Sequence, residues 1–232
     1  TTVSIAEPNP VYLAAYQGFL ERQPHLRGGI AALAGLDDLD EEATGTLCDL
    51  PEPGSIDVAL GLHMIYFATD VARSLRSILR FLKPGGVYVN VVTDEETAYS
   101  GAVLRSFVES GGDTGDNDGY VTAINERRRL LAPESEGGGG LAQAVRAAGI
   151  EVEVEAVRQL SRMYGNSLTD LLALANISVL TGHAGTRKFE SAAKVLRERP
   201  EEVDLRIETE GPRMGMWSVV QPQWVTRVRR VR

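Results

Sequence analysis

Cysteine is nearly absent from this 232-residue chain: only Cys48 is present, so no intrachain disulfide can form. A reducing cytoplasm is therefore the expected compartment. Positive charge is also in deficit, with 24 Lys and Arg against 32 Asp and Glu and a formal net charge of −8. Such a balance disfavours nucleic acid or an anionic membrane as the main partner, because both select basic surfaces. No stretch approaches the roughly twenty apolar residues of a membrane-spanning helix. Nor does the N-terminal region lead from basic into apolar residues, as a secretory leader would. Three scattered histidines and one cysteine make no zinc spacing. The loop Gly111 to Gly119 is superficially calcium-like but lacks the later bidentate glutamate of an EF-hand. No internal repeat is apparent.

What remains is an enzyme-sized globule with one informative stretch, Ser55 to Asn90. Ile56 to Leu62 is an almost unbroken apolar run, expected as a strand buried on both faces, and Val87 to Val92 is a second. Between them Val71, Leu75, Ile78, Leu79 and Leu82 recur at three- and four-residue steps, giving a helix one apolar face. Lys83-Pro84-Gly85-Gly86 stops that helix and turns the chain, since the glycines tolerate positive φ. Strand, helix and strand in this order make a βαβ crossover and predict an α/β fold.

The ordered set of a strand ending in Leu62-His63-Met64-Ile65-Tyr66-Phe67, Asp70 before the helix, and Leu-Lys-Pro-Gly-Gly before the next strand resembles the middle of a class I S-adenosylmethionine-dependent methyltransferase. The resemblance implies a doubly wound, mostly parallel sheet of seven-stranded type with an antiparallel last strand. Upstream, Val3 to Pro10 resembles the family's second strand, with Glu7 as the acid that takes the ribose hydroxyls and Pro8 beside it. Gly45 to Pro51 resembles the third-strand segment, placing Cys48, Asp49 and Leu50 at the adenine. Both acids suit their roles, because an ionised carboxylate only accepts hydrogen bonds and these cofactor groups donate them. Leu62, His63 and Met64 complete the implied cofactor site, with Met64 and Ile65 packing on the adenine or its ribose.

A glycine-rich loop of the GxGxG type is expected roughly twenty residues before Glu7, and residues 1–232 do not contain it. The family's first strand lies mid-sheet between the second and fourth, so leaving it out would expose two buried edges. We therefore expect the folded protein to hold that strand, from a preceding or retained N-terminal piece or from another chain.

Elsewhere, helices are expected over Val11 to Gln23, packed on the sheet, and over Ala98 to Glu109, with acids from Asp94 to Glu96 in its first turn. Asp37 to Glu42 reads as a solvated loop before the third strand. Asn125 to Leu131 and Leu141 to Ala148 read as short helices, and Ile150 to Val157 as a strand with one wet face. Ser167 to Leu180 and Thr186 to Arg199 are expected as helices, the second with Phe189, Ala192, Ala193, Val195 and Leu196 inward. Gly215 to Val220 is expected as the antiparallel last strand, followed by a second strand over Trp224 to Val231 with solvated arginines. The implied organisation is a cofactor-binding core over 1–160, a helical lid or substrate wall over 161–212, and closing strands over 213–232.

Ligands of a doubly wound sheet bind beyond the carboxyl ends of the strands, a rule that gathers Glu7, Asp49, Leu62, His63, Thr93 and Asp94 at one crevice. In-line methyl transfer needs positioning and desolvation more than many catalytic groups. For a hydroxyl or ammonium acceptor, His63 is the candidate general base, or else it only lines the pocket. His183 between the two late helices is a second candidate for substrate or catalytic contact, and His25 is expected at the surface. The expected activity is methylation of a small molecule at oxygen or nitrogen, in a possible homodimer. The alternative is a fold relative without methyl transfer, a cofactor-assisted cyclase or rearrangement enzyme or a binding subunit.

Overall fold

The structure, a computed structural model, describes residues 1–39, 50–65, 68–94, 96–111, 140–147, 149–178 and 185–232. It divides into two compact units, one of residues 1–90, 130–155 and 226–232 and one of residues 91–129 and 156–225. The segments expected over 45–49 and 125–131, most of the Gly111 to Gly119 loop, and His183 lie outside the described residues.

In the first unit β1 (Thr2–Ala6) runs parallel to β2 (Arg27–Ala32), Thr2 opposite Arg27 and Ala6 opposite Ala32. Between them runs α1 (Pro10–Glu21), begun by Asn9, whose side chain accepts the Val11 N–H at 2.9 Å, and by Pro10 at the first helical position. The sequence reading did not anticipate β2, and the third-strand segment expected over Gly45 to Pro51 lies outside the described residues except at its end. Asp37–Leu39 is a 3-10 turn that follows β2. Gly29 marks the close approach, since a Cβ there would lie 2.6 Å from Ser4 Oγ and 2.9 Å from Thr2 Cγ2. α1 touches β2 yet buries none of its residues, and Tyr12, Tyr16 and Phe19 along its length are exposed.

A four-stranded sheet follows in the order β3 (Ile56–Leu62), β4 (Leu82–Thr93), β9 (Gln223–Arg230), β5 (Val152–Gln159). α2 (Val71–Phe81) starts at Asp70, whose carboxylate accepts the Arg73 N–H at 3.0 Å, and buries Val71, Leu75, Ile78 and Leu79 as the periodicity predicts. The helix ends at Phe81 and the chain passes at once into β4, with Gly85 at φ +81. Lys83 to Gly86 is thus the start of the strand rather than a separate turn. Arg230 closes the helix end: its Nη1 donates to the carbonyls of Leu79, Arg80 and Leu82 at 3.3, 3.2 and 2.6 Å. The Leu79 and Arg80 carbonyls also accept the Leu82 and Gly54 N–H groups, so the guanidinium adds to a helix end that backbone donors already close. α4 (Gly140–Ala147) packs beside α2.

β3 departs from expectation. Only Gly61 in it is buried, while Val58, Leu60 and Leu62 on one face are 56, 63 and 55 % exposed. The reason is its place: β3 ends its sheet among the described residues. The opposite face is closed by Tyr88, which leaves no room for a Cβ at Gly61 and whose phenol donates to Asn90 Oδ1 at 3.1 Å. In place of the single sheet expected, the described strands form separate sheets of two, four and three strands.

The second unit centres on α3 (Tyr99–Glu109), α5 (Leu168–Ser178) and α6 (Gly185–Glu198), whose core holds Tyr99, Val103, Leu171, Ala175, Ala192, Val195 and Val219. Phe189, expected inward, is exposed. α3 starts after Ala98, so the acids precede it instead of filling its first turn. A three-stranded sheet of order β6 (Arg162–Gly165), β8 (Trp217–Val220), β7 (Arg206–Ile207) is antiparallel throughout. β8 is thus not the closing strand of the main sheet. β9 takes that place, burying Trp224, Thr226 and Val228 in alternation.

Candidate functional site

The carboxyl ends of β1, β2 and β3 all belong to the first unit and carry most of the expected site. Glu7 follows β1 directly. Its N–H continues the ladder to the Ala32 carbonyl at 3.1 Å, and its Oε1 accepts the Asn9 N–H at 2.9 Å. This local bond holds a half-buried carboxylate at the strand end. Pro8 meets the end of β2: a Cβ on Gly35 would sit 3.9 Å from Pro8 Cβ and 3.3 Å from Asp38 Oδ2. Asp38 closes that turn, accepting the Gly35 N–H at 2.8 Å.

Sequence reasoning missed this second carboxylate. The usable signal was the small apolar run Gly28 to Ala34 leading into Gly35-Leu36-Asp37-Asp38, a strand followed by a polar turn. Cys48 and Asp49 lie outside the described residues, and Leu50 is half-buried.

At the end of β3, Leu62 is exposed, His63 and Met64 are half-buried, and Ile65 is fully buried. Ile65 is therefore a core residue and not the pocket wall expected of it. His63 has φ +56, in the left-handed region that few residues other than glycine occupy. Such strain concentrates where a chain must present a side chain at a sharp exit from a strand. Burial pushes the imidazole below its ordinary pKa. Burial thus favours the uncharged ring.

Asp94, after β4 in the second unit, is already committed. Its Oδ2 accepts Arg158 Nε at 2.7 Å and the Thr97 hydroxyl at 2.9 Å, and its N–H donates to the Pro222 carbonyl at 2.9 Å. Arg158 also donates to Thr97 Oγ1 at 2.7 Å. That cluster fixes the chain between β4 and α3. Tyr99 is core, its phenol donating to the Leu171 carbonyl at 3.2 Å, whereas Tyr12 and Tyr16 are exposed. His25 is exposed as expected.

Glu7, His63 and the half-buried Leu50 and Met64 suit an adenosyl group in their chemistry: acceptors for hydroxyl and amino donors, and apolar surface for a ring. Among the described residues no group of His, Cys, Asp and Glu could hold a metal ion, and no helix is long and apolar enough to cross a membrane.

Residues 32–90 match a family model described as a methyltransferase domain. Among solved structures, a candidate methyltransferase of Bacillus halodurans superposes on 99% of this chain and 83% of its own at 12% identity, with a TM-score of 0.51. The YcgJ protein of Bacillus subtilis superposes on 99% of this chain and 82% of its own at 13% identity, with a TM-score of 0.50. No curated protein matches the sequence. At these identities the two structures carry the fold.

Proposed function

We propose, from a class I methyltransferase fold that bears a methyltransferase-domain match over residues 32–90, that this chain moves a methyl group from S-adenosylmethionine to a small-molecule oxygen or nitrogen acceptor. That match, spanning the whole of β3, α2 and their flanks, is the observation that carries the reading. S-adenosylmethionine would supply an electrophilic methyl on a sulfonium.

The rest is the work of the chain's own residues. Glu7 would take the ribose hydroxyls, its carboxylate preset by the Asn9 N–H. The adenine amino group would go to Asp49, flanked by Cys48 and Leu50. Asp38 stands at the end of β2 as the competing acceptor, and separate alanine substitutions at Asp38 and Asp49 distinguish the two. Leu62 and Met64 would wall the ring, with Pro8 beside the ribose. His63, whose uncharged form burial favours, would take the proton of a hydroxyl or ammonium acceptor. His183 is the second candidate for that contact. We assign acceptor choice to residues 161–212.

The acidic balance of the chain supports a small metabolite over a polyanion. Calorimetric titration with S-adenosylmethionine, followed by an assay of labelled methyl transfer to a panel of hydroxyl and amine acceptors, tests the reading. Binding lost in Glu7→Ala, with transfer lost in His63→Ala, is the expected result. A folded protein that binds no cofactor overturns it. Binding without transfer to any acceptor moves the chain to a cyclase-like enzyme or a binding subunit.

A further inference from the structure

In the second unit, the residues at the carboxyl ends of β4 and β5 come together around one cation. Arg158 is the second-last residue of β5, in step with the half-buried Val152, Val154 and Ala156, while Glu151, Glu153 and Glu155 alternate to the other face. Asp94 follows β4 directly. A guanidinium offers two forks of N–H donors, one from Nε and Nη2 and one from Nη1 and Nη2. In Arg158 the first fork is filled, since Nε donates to Asp94 Oδ2 and Nη2 to Thr97 Oγ1, both at 2.7 Å. The second has no acceptor among the described residues. Of the pair, the Asp94 side chain is 12 % exposed and that of Arg158 36 %, so the part that meets solvent is the cation.

Two other arginines of the unit show what a finished guanidinium looks like. Arg162 engages Nε with Ser218 Oγ and both Nη groups with Asp204. Arg199 holds the two carboxylate oxygens of Glu109 on Nη1 and Nη2, at 3.5 and 2.6 Å. That is the fork Arg158 leaves open.

The open fork is also held in place. The Thr97 hydroxyl donates to Asp94 Oδ2 at 2.9 Å, and the Asp94 N–H to the Pro222 carbonyl at 2.9 Å. Beside Pro222, the buried Gln221 accepts the Ser100 N–H at 3.2 Å and donates to the Ser100 hydroxyl at 2.9 Å. A guanidinium fixed in this way gives up little rotamer freedom when it binds a two-oxygen anion. With a net charge of −8 the chain as a whole repels anions, so a local cation must hold any that binds.

We infer that Arg158 anchors an oxyanion site in the second unit, taking the carboxylate or phosphate of a small molecule on Nη1 and Nη2. Exposed Leu160, two residues along the chain, offers apolar surface to the rest of such a ligand. The inference rests on this unit alone and not on methyl transfer.

The probes are benzoate, phenyl phosphate and neutral benzamide, titrated without cofactor into the isotope-labelled 232-residue chain, with the side-chain N–H signals of Arg158 as the readout. At least one anion should shift those signals saturably and bind roughly tenfold more tightly than benzamide, as expected for hydrogen bonds to a charged group. The tighter of the two names the group that the site takes. Arg158→Lys keeps the charge without the fork, and should weaken the anions while leaving benzamide unchanged, a difference that a merely structural arginine would not produce. The titration of the unsubstituted chain stands even if that variant does not fold. Three outcomes overturn the inference: benzamide binding as tightly as both anions, anions that bind without moving the Arg158 signals, or shifts that never saturate. Because no cofactor enters the readout, failure here leaves the methyl-transfer reading standing, and failure to bind S-adenosylmethionine leaves the oxyanion site standing.

Discussion

The four-stranded sheet has two ends of opposite character. At β5 the exposed face is charged: Glu155 meets Arg227 at 3.7 Å, Glu153 meets Arg229 at 3.3 Å, and Glu151 meets Arg232 at 3.7 Å. At β3 the exposed face is Val58, Leu60 and Leu62. A charged ladder repels a further strand and keeps an outer edge monomeric, while a β-branched and leucine face loses hydrophobic stabilisation for as long as it stays wet. The comparison distinguishes an edge selected to face water from one selected to be covered. The terminal arginines are solvated as expected, and three of them, Arg227, Arg229 and Arg232, are also exposed partners in the ladder.

The largest expected effect lies under the open end. Tyr88 is the wedge that holds the inner face of β3 through Gly61, and it is fully buried. Tyr88→Ala should cost about 3–5 kcal/mol, the range for removing a large buried aromatic. Urea unfolding would read it, and a loss below about 1 kcal/mol would mean that β3 is loose on both faces. At the finished end, Arg230→Ala removes one guanidinium from three carbonyls and should cost about 1.5–3 kcal/mol, the range for a hydrogen-bonded charge. Arg230→Lys should recover part of the loss, because all three carbonyls are reached from Nη1 alone and an ammonium also presents three donors from one nitrogen.

The finished end was far more legible in the sequence than the open one. Helix α2 followed from apolar positions at helical spacing: Val71, Leu75, Ile78 and Leu79 are buried in it, while the fifth, Leu82, is buried as the first residue of β4. The alternation in β5 gave its wet face. β2 was missed because Arg27-Gly28-Gly29 looks like a turn, and only the packing of Gly29 against Thr2 and Ser4 makes those glycines part of a strand. The last strand was misplaced because Gly215 to Val220 and Trp224 to Arg230 have the same local pattern. What separates them is tertiary: β8 finds partners in β6 and β7, a choice that no window of sequence contains. Of the candidate site, the positions of Glu7 and His63 just after β1 and β3 were readable in the sequence. The left-handed backbone of His63 was not, since nothing local demands it.

That backbone offers a sharper test. His63→Gly should relieve a left-handed conformation worth roughly 1–2 kcal/mol against about 0.5–1 kcal/mol of added chain entropy, leaving a net gain of about 0.5–1 kcal/mol. The pH dependence should change as well. Burial lowers the imidazole pKa in the folded state, so between that value and the unfolded value near 6.5 the unfolded chain binds the extra proton. Stability therefore falls as pH drops through this window. His63→Gly should remove that part of the slope in midpoints measured from pH 7.5 to 5, whereas an unchanged slope would assign it to other groups.

The smallest effects decide the comparison itself. Arg229→Ala breaks one exposed pair with Glu153 and should cost about 0.2–1 kcal/mol, less at high salt, as exposed ion pairs do. Leu60→Lys should change the stability of the 232-residue chain by no more than about 0.5 kcal/mol, because the side chain is already in water. Both substitutions are small by equilibrium unfolding, yet self-association separates them. Arg229 lies on the interior strand β9, so its loss leaves Glu153 on the β5 edge and light scattering should not change for Arg229→Ala. Placing a lysine on β3 shields an open edge, so scattering should fall for Leu60→Lys. If Leu60→Lys raises scattering instead, the apolar face of β3 is an ordinary wet surface, and the distinction between the two ends fails.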